Sequence, residues 1–194
     1  MGIDAKSKKR MLDKLNGDYA LISDRKGWKL SKKFVKGYGP HNAKIMIIGQ
    51  APGQNEDVEG KPFVGISGRM LNDLLEQAGI RRDDVYITST VQFFPPRNRA
   101  PSKDEVKLCL PMLKKQIAIV DPKLVITLGS LASNSTIGLD NIMQNHGLLT
   151  HDGSRYYFST LHPAAAVRIK KNVPIITEDF KHLKSVMKKI KINE

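Results

Sequence analysis

Two segments of the chain carry residues whose types and spacing could do chemistry. Residues 49–57 (GQAPGQNED) place two glycines and a proline directly after an apolar run, so their backbone N–H groups could approach a ligand closely. Residues 161–168 (LHPAAAVR) place His162 before a proline and a run of small residues, where packing alone does not explain a histidine. This pattern favours a catalytic role for His162. The competing interpretations are a plain turn and a structural histidine.

Two further segments are unusual for connecting loops. Phe63 lies between a proline and a glycine in a polar stretch, so it either stacks on a ligand or plugs the loop from beneath. Residues 95–101 (PPRNRAP) form a rigid, positively charged stretch. It carries Arg97 and Arg99 on either side of Asn98. Such a loop suits contacts to the phosphates of a nucleic acid, although a solvated connection could have the same composition.

The composition narrows the class of partner. Lysine and arginine number 32 against 19 acidic residues, and the formal net charge is +13 at pH 7. This charge favours polyanions, with nucleic acid as the first candidate and an anionic membrane surface as the second. The single cysteine, Cys109, excludes an internal disulfide framework and any site that needs several thiolates. We find no membrane-spanning run and no signal peptide, and therefore expect a cytoplasmic protein.

Short apolar runs alternate with helical patterns over most of the chain. Residues 45–48, 85–88 and 124–128 predict strands that are buried in a parallel sheet, and residues 156–158 predict a further strand. The helical patterns between them predict a doubly wound α/β fold with helices on both faces. Ligands bind beyond the carboxyl ends of such strands, so the unusual loops should meet at that edge of the sheet.

The remaining segments complete the predicted organisation. At 194 residues, the chain fits one domain. Residues 1–42 are polar and lysine-rich, and they predict a basic arm that packs on a domain formed by residues 43–194. The arm should begin with a weak helix that ends near Leu15. Residues 138–152 are predicted to form a loop, and a last helix is predicted from about Thr177.

Four segments together resemble the uracil-DNA glycosylase superfamily. They are GQAPGQNEDVEGKPFVGISGRML (49–71), DDVYITSTVQFFPPRNRAPSKDEVKLC (83–109), DPKLVITLGSLA (121–132) and LHPAAAVR (161–168). The likeness is greatest to family 4 and to glycosylase-like domains associated with a phage DNA polymerase. The resemblance implies a three-layer α/β/α sandwich around a mostly parallel sheet. It also implies a monomer that removes uracil from DNA in base-excision repair.

The resemblance implies roles for individual residues. Phe63 takes the place of the aromatic that stacks on the flipped uracil. His162 takes the place of the histidine that hydrogen-bonds the base and stabilises the leaving anion. Glu56 matches an acidic residue near the attacking water, which either Glu56 or Gln50 would orient. The base pocket would also include Gly49, Ala51 and Ser89. The DNA would be contacted by Ser67, Gly68, Arg97, Asn98, Arg99, Ala164, Ala165 and Arg168.

One departure from the family pattern concerns a cofactor. Family 4 members hold a [4Fe–4S] cluster with four cysteines, whereas here Cys109 stands at one of those places and Phe93 at another. One thiolate cannot hold such a cluster. We therefore expect no cofactor and no metal, and we expect Trp28 and Phe93 to pack where the cluster would be.

Two further departures concern the base pocket. Gln50 stands where family 4 usually has a glutamate, and Ala51 stands where the distant family 1 enzymes have a catalytic aspartate. Ser89 replaces a base-binding asparagine, and its shorter hydroxyl should discriminate less between bases. The expected activity is excision of uracil, with other deaminated bases as further candidates. The alternatives are a weak or inactive DNA-binding member of the same fold and a nucleotide-binding α/β protein that does not act on DNA.

Overall fold

A five-stranded sheet forms the centre of the molecule in the computed structural model, which describes residues 3–25 and 27–192. The strands are β1 (Ile45–Gly49), β2 (Val85–Ser89), β3 (Leu124–Leu128), β4 (Leu148–His151) and β5 (Tyr156–Thr160). Their order across the sheet is β2-β1-β3-β5-β4. β1 pairs in parallel with β2 and β3, and β3 pairs in parallel with β5, whereas β4 is antiparallel to β5. The mostly parallel sheet predicted from the sequence is confirmed.

Helices cover both faces of this sheet. They are α1 (Ala5–Ala20), α2 (Gln54–Glu59), α3 (Ile66–Gln77), α4 (Lys103–Val120), α5 (Ser130–Ile137), α6 (Ile142–Asn145), α7 (Pro163–Arg168) and α8 (Val173–Lys189). Apolar side chains of α3, α7 and α8 form the core on one face, and those of α1, α4 and α5 form the core on the other. The three-layer α/β/α sandwich is therefore confirmed. Among the described residues, no helix is long and apolar enough to cross a membrane.

The strand sequences explain the layers. All five residues of β1, β2 and β3 are buried, which is why the sequences of these strands are mostly apolar. Side chains alternate between the two faces of a strand. Along β1, Ile45 and Ile47 therefore contact the α3 and α8 side, while Met46 and Ile48 contact the α1 and α4 side.

The structure differs from the sequence prediction at three places. The loop predicted at residues 138–152 contains α6 and the edge strand β4, whose half-exposed residues give no buried apolar run. The last helix begins at Val173 rather than near Thr177, with a proline in its first turn. The first helix continues beyond Leu15 to Ala20.

The N-terminal segment packs against α4 and along the edge of β2. The Tyr19 hydroxyl donates to the carbonyl of Leu108 and accepts from the N–H of Met112, at 3.3 Å, beside the helix-interior Pro111. Further along, residues 34 and 38 form isolated bridges to residues 93 and 87. The division into an arm of residues 1–42 and a domain of residues 43–194 stays a prediction. Residues 1, 2, 26, 193 and 194 of these two units lie outside the described residues.

Candidate active site

A cleft of about 460 Å³ opens at the carboxyl ends of β1, β2 and β5. Its walls come from the segment around α2, the loop before α3, the segment before α4 and the start of α7. The predicted site residues that line it are Gln50, Ala51, Glu56, Phe63, Ser67, Ser89, Asn98, Arg99, His162, Ala164, Ala165 and Arg168. The fold therefore brings three of the four segments of the resemblance to one site, whereas residues 121–132 supply strand β3 and no lining residue.

Three predicted site residues do not line the cleft. Gly49 and Gly68 lie beneath the Phe63 segment. A Cβ on Gly49 would lie 2.7 Å from two carbons of the Phe63 ring, and a Cβ on Gly68 would overlap with the Phe63 carbonyl oxygen. Both glycines therefore allow close packing rather than contact with a ligand. Arg97 is exposed outside the cleft lining and forms no ion pair with the residues in the described ranges.

Phe63 occupies a strained position in the loop before α3. Its φ of 54° lies in the left-handed region, which costs a non-glycine residue about 1–2 kcal/mol. The residue is 8% exposed; it packs partly on the core and also lines the cleft beside His162. The centroids of the Phe63 and His162 rings are 5.6 Å apart, and the ring planes differ by 25°. The two rings thus form one wall of the cleft.

His162 is the N-cap residue of α7. Its Nδ1 accepts a hydrogen bond from the backbone N–H of Ala164 at 3.1 Å, so the proton of the neutral ring is on Nε2. Nε2 lies on the Gly49 side of the ring. Burial, and next the positive charge of Arg168, lower the pKa of His162 to about 4. At neutral pH, this side chain is therefore an uncharged N–H donor at the wall of the cleft.

The Glu56 carboxylate is already hydrogen-bonded to the protein backbone. One oxygen accepts from the N–H of Gly53 at 3.0 Å, and the other accepts from Val64 and Gly65 at 2.9 and 2.8 Å. The side chain thereby ties the start of α2 to the loop before α3. These contacts favour a structural role for Glu56 over the catalytic one expected from the resemblance.

Two other polar side chains of the cleft remain available. The amide of Gln50 lines the cleft, and so does the hydroxyl-bearing side chain of Ser89 at the end of β2. Within the ranges that the structure describes, neither side chain has a hydrogen-bond partner. Gln50 and Ser89 are therefore available to bind a base or a water molecule.

The loop before α4 is held by an ion pair. The Arg99 guanidinium donates to both carboxylate oxygens of Glu105, at 2.8 and 2.6 Å. These hydrogen bonds from Arg99 lower the pKa of Glu105 and fix the loop to the start of α4. Asn98, with a φ of 58°, reaches the cleft. Arg99 is thus an anchor as well as a lining residue.

The cleft also includes residues that the sequence did not single out individually. They are Pro52, Gly53, Gln54, Asn55, Gly65, Ile66 and Pro95. The first four belong to the segment 49–57, and the next two continue the motif that carries the resemblance. Their positions within those motifs could have indicated that they belong to the site. Their contact with the cleft, however, depends on how the loops fold over it.

The residues at the expected cluster position do not fit a [4Fe–4S] group. Cys109 is buried, and burial raises the pKa of its thiol to about 12, so it is not a thiolate. It packs beside Phe93, whose ring centroid lies 4.8 Å from that of Trp28 and 5.3 Å from that of Phe34. We call Trp28, Phe34, Phe93 and Cys109 the aromatic cluster. Among the described residues, no group of three or more histidine, cysteine or acidic side chains could hold a metal ion.

The fold and the cleft define an α/β protein whose site lies at the carboxyl ends of parallel strands. The family model of the uracil DNA glycosylase superfamily matches residues 36–191, and the chain belongs to this superfamily. It is 38% identical to the type-4 uracil-DNA glycosylase of Saccharolobus solfataricus, over 82% of this chain and 79% of that protein. It is 35% identical to the type-4 enzyme of Sulfurisphaera tokodaii, over 90% and 84%. A DNA polymerase of Bacillus phage SP01 is 30% identical over 80% of this chain, which corresponds to 17% of the polymerase.

Proposed function

We propose that the protein is a DNA glycosylase of the family 4 type that removes uracil from DNA. The observation that carries this proposal is the juxtaposition of the Phe63 ring and the neutral His162 in one cleft. Two curated relatives that match most of the chain are named type-4 uracil-DNA glycosylase, which supports the same activity. The phage relative is named DNA polymerase, which agrees with the expected likeness to a glycosylase-like domain associated with a phage DNA polymerase.

The proposed reaction begins with the base outside the duplex, because its glycosidic bond is inaccessible in the stack. The uracil ring would stack on Phe63, and the Ser89 hydroxyl would hydrogen-bond its edge. The bond between C1′ and N1 then breaks, and its electron pair stays on uracil. The N–H at Nε2 of His162 donates to uracil O2, where negative charge develops. A neutral donor stabilises this anion without surrendering its own proton.

The sugar is left as an oxocarbenium-like cation that water attacks at C1′. The free amide of Gln50 would orient this water, and the lost proton passes to solvent. A weak nucleophile suffices for such a cation, so Ala51 need not be a carboxylate. Since three backbone N–H groups occupy the oxygens of Glu56, we assign this residue to holding the loop rather than to activating water.

The DNA backbone would lie across the rim of the cleft. Ser67 at the start of α3 and Asn98 would contact phosphates, and Arg97 and Arg168 would add positive charge. Ala164 and Ala165 are small, half-buried residues at the start of α7 that face the cleft, where the protein would enter the duplex. Contacts to phosphates fix the register of the protein on DNA, whereas the base pocket selects the substrate.

The proposal extends to the state of the protein in the cell. All proposed site residues line or support one cleft of a single chain, so a monomer could carry out the reaction. We further propose that it works in the cytoplasm, where it meets DNA. Residues 1–42 would serve as a basic arm on a domain of residues 43–194, and the packing of Tyr19 and Trp28 supports this role.

A panel of DNA substrates tests the proposed activity. The purified protein is incubated with single-stranded and duplex oligonucleotides that contain uracil, hypoxanthine or xanthine, and alkali then cleaves any abasic strand. We expect breaks at uracil, most readily in a U·G mismatch, because flipping is least costly there. The second candidate, an inactive DNA-binding member, is favoured by Gln50 and Ser89. It predicts retention of uracil or abasic DNA on a gel without breaks on any substrate.

A further inference from the structure

The backbone at Phe63 needs support from its surroundings. A bulky side chain with a φ of 54° persists only where neighbouring groups determine the conformation. The loop between α2 and α3 has no helix or strand of its own to provide this support. The groups that bond the backbone on either side of Phe63 therefore decide where its ring lies.

The Arg82 side chain forms hydrogen bonds to this backbone. It lies in the short 3₁₀ turn before β2, outside the cleft lining and 19 residues after Phe63 in the sequence. Its Nη2 donates to the carbonyl oxygens of Pro62 and Phe63, both at 3.0 Å. Its Nη1 donates to Oδ1 of Asn72 on α3 at 2.6 Å, which fixes the orientation of the planar guanidinium.

Glu56 forms hydrogen bonds to the same loop directly after Phe63. Its carboxylate accepts from the N–H groups of Val64 and Gly65 at 2.9 and 2.8 Å. Arg82 thus holds the carbonyl groups of Pro62 and Phe63, and Glu56 holds the N–H groups of the two residues that follow. The Phe63 backbone also packs directly against Gly68 of α3, where a Cβ would overlap with the Phe63 carbonyl oxygen.

We propose that Arg82 is a positioning residue for the glycosylase reaction, which keeps the Phe63 ring beside His162 for stacking on the base. This inference rests on the proposed function. A lysine presents one point charge with no fork, so it can replace only part of the two carbonyl contacts. Without Arg82, Phe63 can return to an ordinary backbone conformation and its ring leaves the wall of the cleft.

A double-mutant cycle tests this role. Single-turnover excision of uracil is measured for wild type, Arg82→Met, Arg82→Lys, Phe63→Ala and the Phe63→Ala/Arg82→Met double variant. Arg81→Met is the matched control, because Arg81 is the neighbouring arginine, its side chain is 78% exposed, and among the described residues that side chain pairs only with Asp84, at 3.7 Å. Circular dichroism checks that each variant is folded, and Arg82→Lys replaces Arg82→Met in the cycle if the methionine variant is not.

We expect Arg82→Met to slow excision about tenfold, Arg82→Lys to have an intermediate effect and Arg81→Met to stay within twofold of wild type. In the Phe63→Ala background, loss of Arg82 should change the rate by less than twofold, because the ring through which it acts is gone. The proposal is overturned by equal losses in both backgrounds, or by an Arg82→Met rate as fast as the control.

A second measurement does not depend on activity. Amide hydrogen exchange of residues 61–66, followed by mass spectrometry, should be faster in the folded Arg82 variant than in wild type and unchanged in Arg81→Met. Unchanged exchange in the Arg82 variant would remove the support for the clamp. Failure of the wild type to cleave uracil DNA would instead count against the proposed function, and the exchange result would still decide the role of Arg82.

Discussion

His162 carries the chemistry of the proposed reaction as an uncharged donor. The hydrogen bond from Ala164 fixes the tautomer, and burial together with Arg168 keeps the ring neutral at physiological pH. A neutral imidazole that donates to a developing anion needs no proton transfer in the step that breaks the glycosidic bond. The low pKa is therefore part of how this residue works.

The pH dependence of excision follows from this pKa. Because the pKa is lowered from 6.5 to about 4, the neutral form persists well below neutral pH, and protonation sets in only near pH 4. Single-turnover rates between pH 4 and pH 9 should therefore be flat through pH 6.5 and fall only below about pH 5. An acid limb centred near pH 6.5 would show that the imidazole behaves as an ordinary exposed histidine.

The motifs predicted the positions of some site residues but not the contacts of others. Gln50, Ser89 and His162 meet in the cleft as expected, because each stands at the end of a strand that the apolar runs indicate. The occupied carboxylate of Glu56 and the ion pair of Arg99 were not predictable. Both depend on the path of irregular loops, which side-chain spacing along the sequence does not determine.

At the scale of elements, the aromatic cluster connects the N-terminal segment to the site. It packs against Ala51, which lines the cleft. The backbone N–H of Ser31 donates to the carbonyl of Phe94 at 2.9 Å, directly before the loop that reaches the cleft. Apolar packing from the N-terminal segment thus supports these loops.

We expect stability to depend on Trp28 rather than on iron, because the aromatic cluster packs here. Removing the half-buried indole by Trp28→Ala should cost about 2 kcal/mol, less than for a fully buried tryptophan, and lower the thermal midpoint by about 4–8 °C. Trp28→Phe, which retains a ring, is the control and should lose less. Thermal unfolding of the wild type should be unchanged by an iron chelator. A chelator effect as large as that of Trp28→Ala would contradict this account.

Strands that are buried on both faces could be predicted from the sequence, whereas a half-exposed edge strand could not. The strands β1, β2 and β3 are buried on both faces, so their apolar runs were sufficient to predict them. β4 is an edge strand with half-exposed residues, and only its antiparallel pairing with β5 makes it a strand. Such pairing is a tertiary interaction that leaves little trace in the local sequence.

At the scale of the whole molecule, the net charge of +13 suits a DNA substrate. Arg97 is exposed beside the cleft, whereas Lys123 precedes β3 and therefore lies at the opposite, amino-terminal edge of the strands. The charge near the cleft should contact phosphates, and the charge at the far edge should not. The two positions therefore separate specific phosphate contacts from the general effect of a basic protein.

Binding to duplex DNA should weaken steeply with salt. If about three phosphates are neutralised, affinity should fall roughly 40-fold between 50 and 200 mM salt. Arg97→Gln should reduce the slope of log affinity against log salt by about 0.9, since one phosphate contact is lost. Lys123→Gln removes the same charge and should leave the slope unchanged in a fluorescence anisotropy titration. A salt-independent affinity would argue against phosphate binding.

Release of free uracil from a U·G duplex, measured by mass spectrometry for wild type and His162→Ala, tests directly whether His162 drives base excision. We expect one uracil per abasic site from the wild type. For His162→Ala we expect the rate to fall by roughly 100-fold or more, the order expected when a donor to a developing anion is removed. No uracil from the wild type would show that the protein is not a uracil-DNA glycosylase, and an unchanged rate in the folded variant would show that His162 does not take part in the reaction.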